Sequence, residues 1–331
     1  MQRDISKFNK ILVVCPAEAI TGGPEALHQL VDHMNKLGLP AYITYLPFNK
    51  KAATPKPYQK YITPYLNYED TEGNLIIFPE VYPNLALKVK NAQAAIWWLS
   101  LENFLERRHI SQLYDKFRYL KRVIKGKRPL LGAKSLKHLI HFSQTEHSTR
   151  YLKSCGIDPI PLIDSINEDF LTDKYLGSTA HKQDIILYNP TKGKKITAKL
   201  IQANSKWKFE PLIGLNREEL SQKLHSAKLY IDFGHHPGRD RMPREAAMHG
   251  CCIITGVLGS AANDIDIPIP KKYKLDSSLP DFPSRFTKLA QEVIEDFDNH
   301  NCDFNNYREY LKSEPEIFRQ QIYSYFIAKT Y

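Results

Sequence analysis

A chain of 331 residues with 42% hydrophobic and 25% charged residues has the make-up of a globular protein, which excludes a disordered or fibrous chain. That length is too great for one ordinary core and suits two domains of about 150 residues. The net charge of +10 calls for an anionic partner: nucleic acid, a phosphorylated small molecule or an anionic membrane surface.

No apolar run reaches the roughly 18 residues needed to span a bilayer. The polar start, residues 1–10, leads into a short apolar run at 11–15 that has neither the length nor the cleavage site of a signal peptide, so a cytoplasmic protein is expected. The five cysteines, Cys15, Cys155, Cys251, Cys252 and Cys302, are odd in number and contain no Cys-x-x-Cys pair. They read as small hydrophobes, not as a disulfide framework or a zinc site.

In chain order, 11–15 is a β-branched run expected of a buried parallel strand. After a loop at 16–23, Leu27, Leu30, Val31, Met34 and Leu37 recur at helical spacing. Pro24 fits the first helical position and Gly38 the end. A strand at 41–46 completes the repeating unit of a doubly wound sheet. Further strands are expected at 75–78, 94–99 and 139–142, then a helix at 144–155 stopped by Gly156. A turn-rich stretch, 158–174, interrupts the alternation, and the domain boundary is placed at its end. The pattern then restarts with strands at 184–188, 207–211, 229–233 and 252–255. Helices are expected at 191–203, 217–227 and 243–249, and two long amphipathic helices within 284–326. The α/β expectation is two Rossmann-like doubly wound domains, 1–174 and 175–310, facing one another across a cleft.

Three loops carry candidate chemistry. Gly22 and Gly23 separate the first strand from the first helix, where a backbone can approach a phosphate at a helix N-terminus. The run is neither a Walker A loop nor Gly-x-Gly-x-x-Gly. The second loop, 232–250, leaves a strand and opens a helix, the edge at which open α/β sheets bind ligands. Arg239, Arg241 and Arg244 crowd that helix start, where the dipole disfavours cations unless an anion sits among them. The competing reading is a surface network in which Asp240 and Glu245 pair with these arginines. His235 and His236 precede them; one is a candidate donor to a phosphate or leaving oxygen, and metal binding by the adjacent pair is not expected. The third loop, Asn189-Pro-Thr-Lys192-Gly-Lys194-Lys, enters a helix from the same sheet edge, from which Lys192 and Lys194 reach toward a diphosphate.

These residues resemble nucleotide-sugar-dependent glycosyltransferases of the GT-B fold, closest to the retaining group that includes family 4. The resemblance spans nearly the whole chain. It rests on Gly22-Gly23, on Asn189-Pro-x-Lys192-Gly, and on Pro-Arg-Glu245-Ala-Ala-Met-His-Gly250-Cys-Cys-Ile-Ile-Thr-Gly256, which is similar to the family's Glu-Ala-Met-Ala-x-Gly-x-Pro-Val-Ile segment. It implies that Glu245 binds the donor ribose, that Asn189, Lys192 and Lys194 lie at its diphosphate, and that Gly22, Gly23 and Gly238 lie against the phosphates and sugar. Arg239 and Arg244 join this donor-binding set, with Arg241, His235 and His236 as catalytic candidates. It also implies that the last segment, 311–331, packs back on the N-terminal domain, which takes the acceptor. Pro237 stands where the family has a second glutamate, which leaves the sugar open. Its neighbour gives a His-Pro pair like that of transferases using CMP-linked sialic acid or Kdo, the alternative donor class.

The expected reaction moves a sugar from a nucleotide-sugar to a glycan or lipid-linked saccharide, with retention, no metal and no cofactor, plausibly in bacterial surface polysaccharide synthesis. Cations and N–H dipoles that stabilise the departing diphosphate suffice for it. Asp264 and Asp266, in Asp-Ile-Asp, are assigned to structure. Between residues 107 and 137, eleven lysines and arginines alternate with apolar residues, the pattern of docking on an anionic membrane at its cytoplasmic face. The rival readings are a GT-B epimerase, a non-catalytic sugar-nucleotide sensor and a nucleic-acid-binding protein. The last lacks any recognisable nucleic-acid motif, so no nucleic acid is expected.

Overall fold

The computed structural model describes residues 8–48, 52–106, 132–172 and 181–328. The first part of the chain forms β1 (Lys10–Pro16), α1 (Gly22–Lys36), β2 (Ala41–Leu46), β3 (Asn74–Pro79), α2 (Pro83–Ala86), β4 (Gln93–Trp98), α3 (Leu101–Glu106), β5 (Ile140–Ser143), α4 (Glu146–Ser154) and β6 (Ile160–Pro161). The second part forms β7 (Gln183–Tyr188), α5 (Lys194–Ala203), β8 (Lys208–Pro211), α6 (Arg217–Ser226), β9 (Ala227–Asp232), α7 (Arg241–Met248), β10 (Cys252–Thr255), α8 (Phe282–Glu295), α9 (Phe297–Cys302) and α10 (Asn305–Phe326). The chain divides into two compact units, one of residues 1–164 and 316–331, the other of residues 165–315.

The first unit is built on a parallel sheet in the order β2-β1-β3-β4-β5-β6. Its strands are apolar along their whole length because both faces are covered. Ile11, Val13 and Cys15 of β1 enter one core with Leu27, Leu30 and Met34 of α1, and the alternate residues Leu12 and Val14 enter the other with Phe104 and Leu152. Phe318, Ile322 and Phe326, at four-residue spacing on α10, present one face to the first of these cores. The second unit has a parallel sheet in the order β10-β9-β7-β8. Its core joins Ile186, Leu229, Tyr230 and Ile253 to Phe286, Ala290 and Val293 of α8.

In each sheet the strand order reverses once, between β1 and β3 in the first and between β7 and β9 in the second. Ligands of open α/β sheets bind at the carboxyl ends of strands beside such a reversal. The loops after β1, β7 and β9 are the three singled out from the sequence.

The boundary between units falls at Asp164/Ser165 rather than at 174/175. Ile166 and Phe170, within the turn-rich stretch, are buried in the second core and carry that stretch with them. The second crossing falls at Pro315, inside α10, so residues 311–315 belong to the second unit. The end of the chain forms three helices rather than two. The basic stretch at 107–131 lies outside the described residues. Among those described, no helix is long and apolar enough to cross a membrane.

Candidate functional site

Two helix starts share one construction. Helix α1 begins at Gly22 and α7 at Arg241, each two residues before the proline expected to open it. Pro24 and Pro243 therefore occupy the third helical position, where a missing N–H costs no intrahelical bond. In α1 the first intrahelical bond runs from Glu25 N to Thr21 O at 3.1 Å. The amides at the first two positions remain as outward donors: Gly22 and Gly23 in α1, Arg241 and Met242 in α7.

In the first unit the turn before α1 is braced from outside. Tyr58 donates to Thr21 O at 3.0 Å, and Tyr61 donates to Glu25 Oε1 at 3.0 Å. His28 Nδ1 lies 2.7 Å from Pro24 O, which only accepts, so Nδ1 carries the proton. Burial lowers the imidazole pKa despite that bond and the nearby Glu25 carboxylate. The ring is neutral, and its Nε2 accepts from Tyr45 at 2.9 Å. Gly23 needs no glycine for its own fold: a Cβ there would meet only Leu99 Cδ1, at 4.0 Å.

In the second unit, the loops after β7 and β9 interlock. Asn189 accepts from the Thr191 amide at 3.0 Å and its hydroxyl at 2.7 Å, closing a turn after β7. Gly193 caps α5 with φ +58°, and a Cβ there would fall within 2.9 Å of the Phe233 and Gly234 backbone. This contact sets Lys192 against the second loop. Its Nζ reaches Asp240 Oδ2, 2.5 Å away, at the residue that begins α7. His236 Nδ1 lies 2.9 Å from that same oxygen, and its Nε2 lies 3.7 Å from Asp232 Oδ1. Asp232 in turn accepts from the Gly234 amide at 2.9 Å. Asp232, His236, Asp240 and Lys192 thus form one ion chain, running from fully buried groups to a lysine side chain 26% exposed.

Burial of His236 penalises its charged form. The bond to Asp240 and the charges of Asp232 and Asp240 outweigh that penalty, with Lys192 opposing, so the imidazole titrates above its ordinary value. Burial pushes the Asp240 carboxyl the other way, but His236 and Lys192 hold it below its ordinary value. Ligand atoms of Asp232, His236 and Asp240 lie within 4.8 Å of one another, a spacing a metal ion could bridge. Lys192 already supplies a cation at Asp240, and the imidazolium supplies a second.

Arg239 and Arg244 require a correction. Both are buried and turned to Glu314 on α10, which is wholly inaccessible. Arg239 pairs with Glu314 Oε1 and donates to Tyr310 at 3.1 Å. Arg244 donates to Glu314 Oε2 at 2.9 Å and to Arg239 O at 2.7 Å. The Ile166 amide donates to the same carboxylate at 2.8 Å. These arginines tie the loop to α10, and their partner is neither of the carboxylates weighed in the surface-network reading. His236 is likewise reassigned. With no exposed surface it cannot itself touch a phosphate, so it acts only through Asp240.

The remaining expected residues lie as follows. Lys194 is the exposed first residue of α5, and His235 is exposed beside the buried His236. Gly238 is buried between them and α7. Arg241 is 42% exposed at its side chain, with Nε 3.9 Å from the buried Glu245 carboxylate. Gly22 and Gly23 belong to the first unit. Asp264 pairs with Lys274 at 3.0 Å, and Asp266 accepts from Asn263 at 2.8 Å. Sequence reasoning missed Glu314, which lies 70 residues from Arg244 and carries no local signal. The His236–Asp240 contact had one, the i,i+4 spacing.

No family model matches the sequence, and no curated protein matches it. Solved structures do. HepE from Anabaena, in complex with UDP-glucose, is 11% identical with a TM-score of 0.61, over 95% of this chain and 98% of that one. Sucrose-phosphate synthase from Thermosynechococcus elongatus is 12% identical with a TM-score of 0.62, over 95% and 97%. The catalytic domain of starch synthase IV from Arabidopsis thaliana, bound to ADP and acarbose, is 9% identical with a TM-score of 0.57, over 96% and 100%. The fold is GT-B, with two Rossmann-like units on parallel sheets.

Proposed function

We propose that this chain is a glycosyltransferase that moves a sugar from a nucleotide-sugar to a saccharide acceptor. The observation that carries this reading is the meeting of two loops at the strand-order reversal of the second unit, where Lys192 stands at the start of α7. An ammonium beside two outward amides is suited to a diphosphate, and a nucleoside diphosphate departs with growing negative charge. Asn189, Lys192, Lys194, Gly238 and the first turn of α7 form the diphosphate side of the proposed site. Glu245 takes the ribose and Arg241, above it, the leaving phosphate, with His235 as the exposed imidazole of the loop. Gly22 and Gly23 supply donor-facing amides from the first unit. The fold shared with HepE and starch synthase IV, solved with UDP-glucose and with ADP, supports a nucleotide-sugar as donor.

The finer proposal is a retaining, metal-independent transfer to a glycan or lipid-linked glycan, in polysaccharide synthesis at the cytoplasmic face of a membrane. Nucleotide release from UDP-, GDP-, ADP- and CMP-sugars, with and without EDTA, tests it. Release from one donor class at an unchanged rate in EDTA is expected. Loss of activity on chelation overturns metal independence, and tight binding without release at high enzyme concentration leaves a sensor.

A further inference from the structure

The ion chain contains a carboxylate where the proposed donor brings its own anion. Asp240 Oδ2 lies 2.5 Å from Lys192 Nζ and 2.9 Å from His236 Nδ1, so one oxygen serves two cations. Its side chain is 17% exposed, that of Lys192 26%, and that of His236 not at all. Only the lysine end of the chain is open to exchange. Taking Lys192 from Asp240 would ordinarily strand a nearly buried carboxylate, at several kcal/mol (~3–5) when nothing replaces the lost cation. Here His236 remains, held against Asp240 and backed by Asp232.

We propose that Asp240 is a placeholder for the donor diphosphate, holding Lys192 in position until the diphosphate takes it, and that His236 is the positioning residue that keeps Asp240 compensated during the exchange. The inference rests on the reading of Lys192 as a diphosphate ligand. It adds that the free site is nearly balanced in charge, so a carboxylate and a diphosphate compete for one ammonium. Asp240 thereby favours ligands of greater negative charge than its own, and a singly charged anion gains little by displacing it.

The groups facing His236 are Asp232 at the end of β9, Asp240 at the start of α7 and Lys192 from the loop after β7. With the imidazole protonated, the exchange leaves Asp240 paired. Affinity for a diphosphate therefore falls as pH rises through the His236 titration.

The test is calorimetric titration of UDP, with inorganic pyrophosphate as the base-free probe, into wild type, Lys192→Ala, Asp240→Asn, His236→Gln and the Asp240→Asn/His236→Gln double variant. Asp240→Asn is expected to tighten both ligands by about two- to fivefold, since it removes a partly exposed competitor. His236→Gln is expected to weaken them and to flatten the pH profile above neutrality. In the double variant that weakening disappears, which a general loss of packing would not reproduce. Asp240→Asn that weakens binding or leaves it unchanged overturns the placeholder. Should His236→Gln fail to fold, the sign of the Asp240→Asn effect decides alone. Binding by wild type that Lys192→Ala leaves intact sinks instead the reading on which the inference rests.

Discussion

Glu314 Oε2 accepts from Arg244 Nη1 at 2.9 Å, while Arg239 pairs with the other oxygen of the same inaccessible carboxylate. One buried anion thus holds two guanidinium groups that the sequence assigns to a ligand. Removing it leaves two buried cations facing each other. Glu314→Ala is expected to lower the unfolding free energy of the second unit by about 3–5 kcal/mol. Urea titration followed by tryptophan and tyrosine fluorescence reads this, and a loss below about 1 kcal/mol would show that the network contributes little.

The three arginines separate by the same logic. Arg239→Ala is expected to act mainly on stability, because its partners are Glu314 and Tyr310. Arg241→Ala, at a side chain 42% exposed, is expected to leave the melting temperature within about 2 °C while reducing turnover about tenfold or more. Paired melting curves and initial rates test the contrast, and equal losses of stability in the two variants would contradict it.

The fold was legible because parallel strands buried on both faces read as unbroken apolar runs, as in 11–15 and 252–255. Helix starts were displaced by two residues because proline is tolerated throughout the first turn, so Pro24 and Pro243 mark the turn and not its first residue. The site was half legible. Lys192 and the loop at 232–240 declare themselves by their place after strands and by their glycines. What neutralises the arginines does not, because Glu314 arrives from α10 through packing, and no local pattern joins positions 239, 244 and 314.

Glycine separates two kinds of loop position. At Gly193, with φ +58° and a Cβ that would strike the Phe233 and Gly234 backbone, alanine is expected to cost more than about 1 kcal/mol. At Gly23 the only neighbour of a Cβ is Leu99, at van der Waals distance. Gly23→Ala is therefore expected to melt like wild type and to bind donor more weakly, because the added methyl meets the ligand and not the protein. Normal donor affinity in Gly23→Ala would remove that turn from the site.

His236 makes stability depend on pH with a definite sign. Its folded pKa is raised, first against burial and then by Asp240 and Asp232, so its contribution is full below the unfolded value of about 6.5. That contribution is lost as pH rises through the higher folded value. Denaturant midpoints measured upward from pH 6 should fall in wild type and fall less in His236→Gln. Parallel profiles would contradict the charged imidazole.

The central claim is that Lys192, set by Gly193 against the start of α7, receives the diphosphate of an activated sugar. Its most direct measurement is the dissociation constant of UDP, GDP, ADP and CMP for wild type and Lys192→Met, with both melting curves recorded. The account predicts that at least one nucleoside diphosphate binds, and that the substitution weakens it by about tenfold or more while the apo melting temperature holds. Equal affinity in the two proteins, or no binding of any nucleotide to wild type, would contradict it.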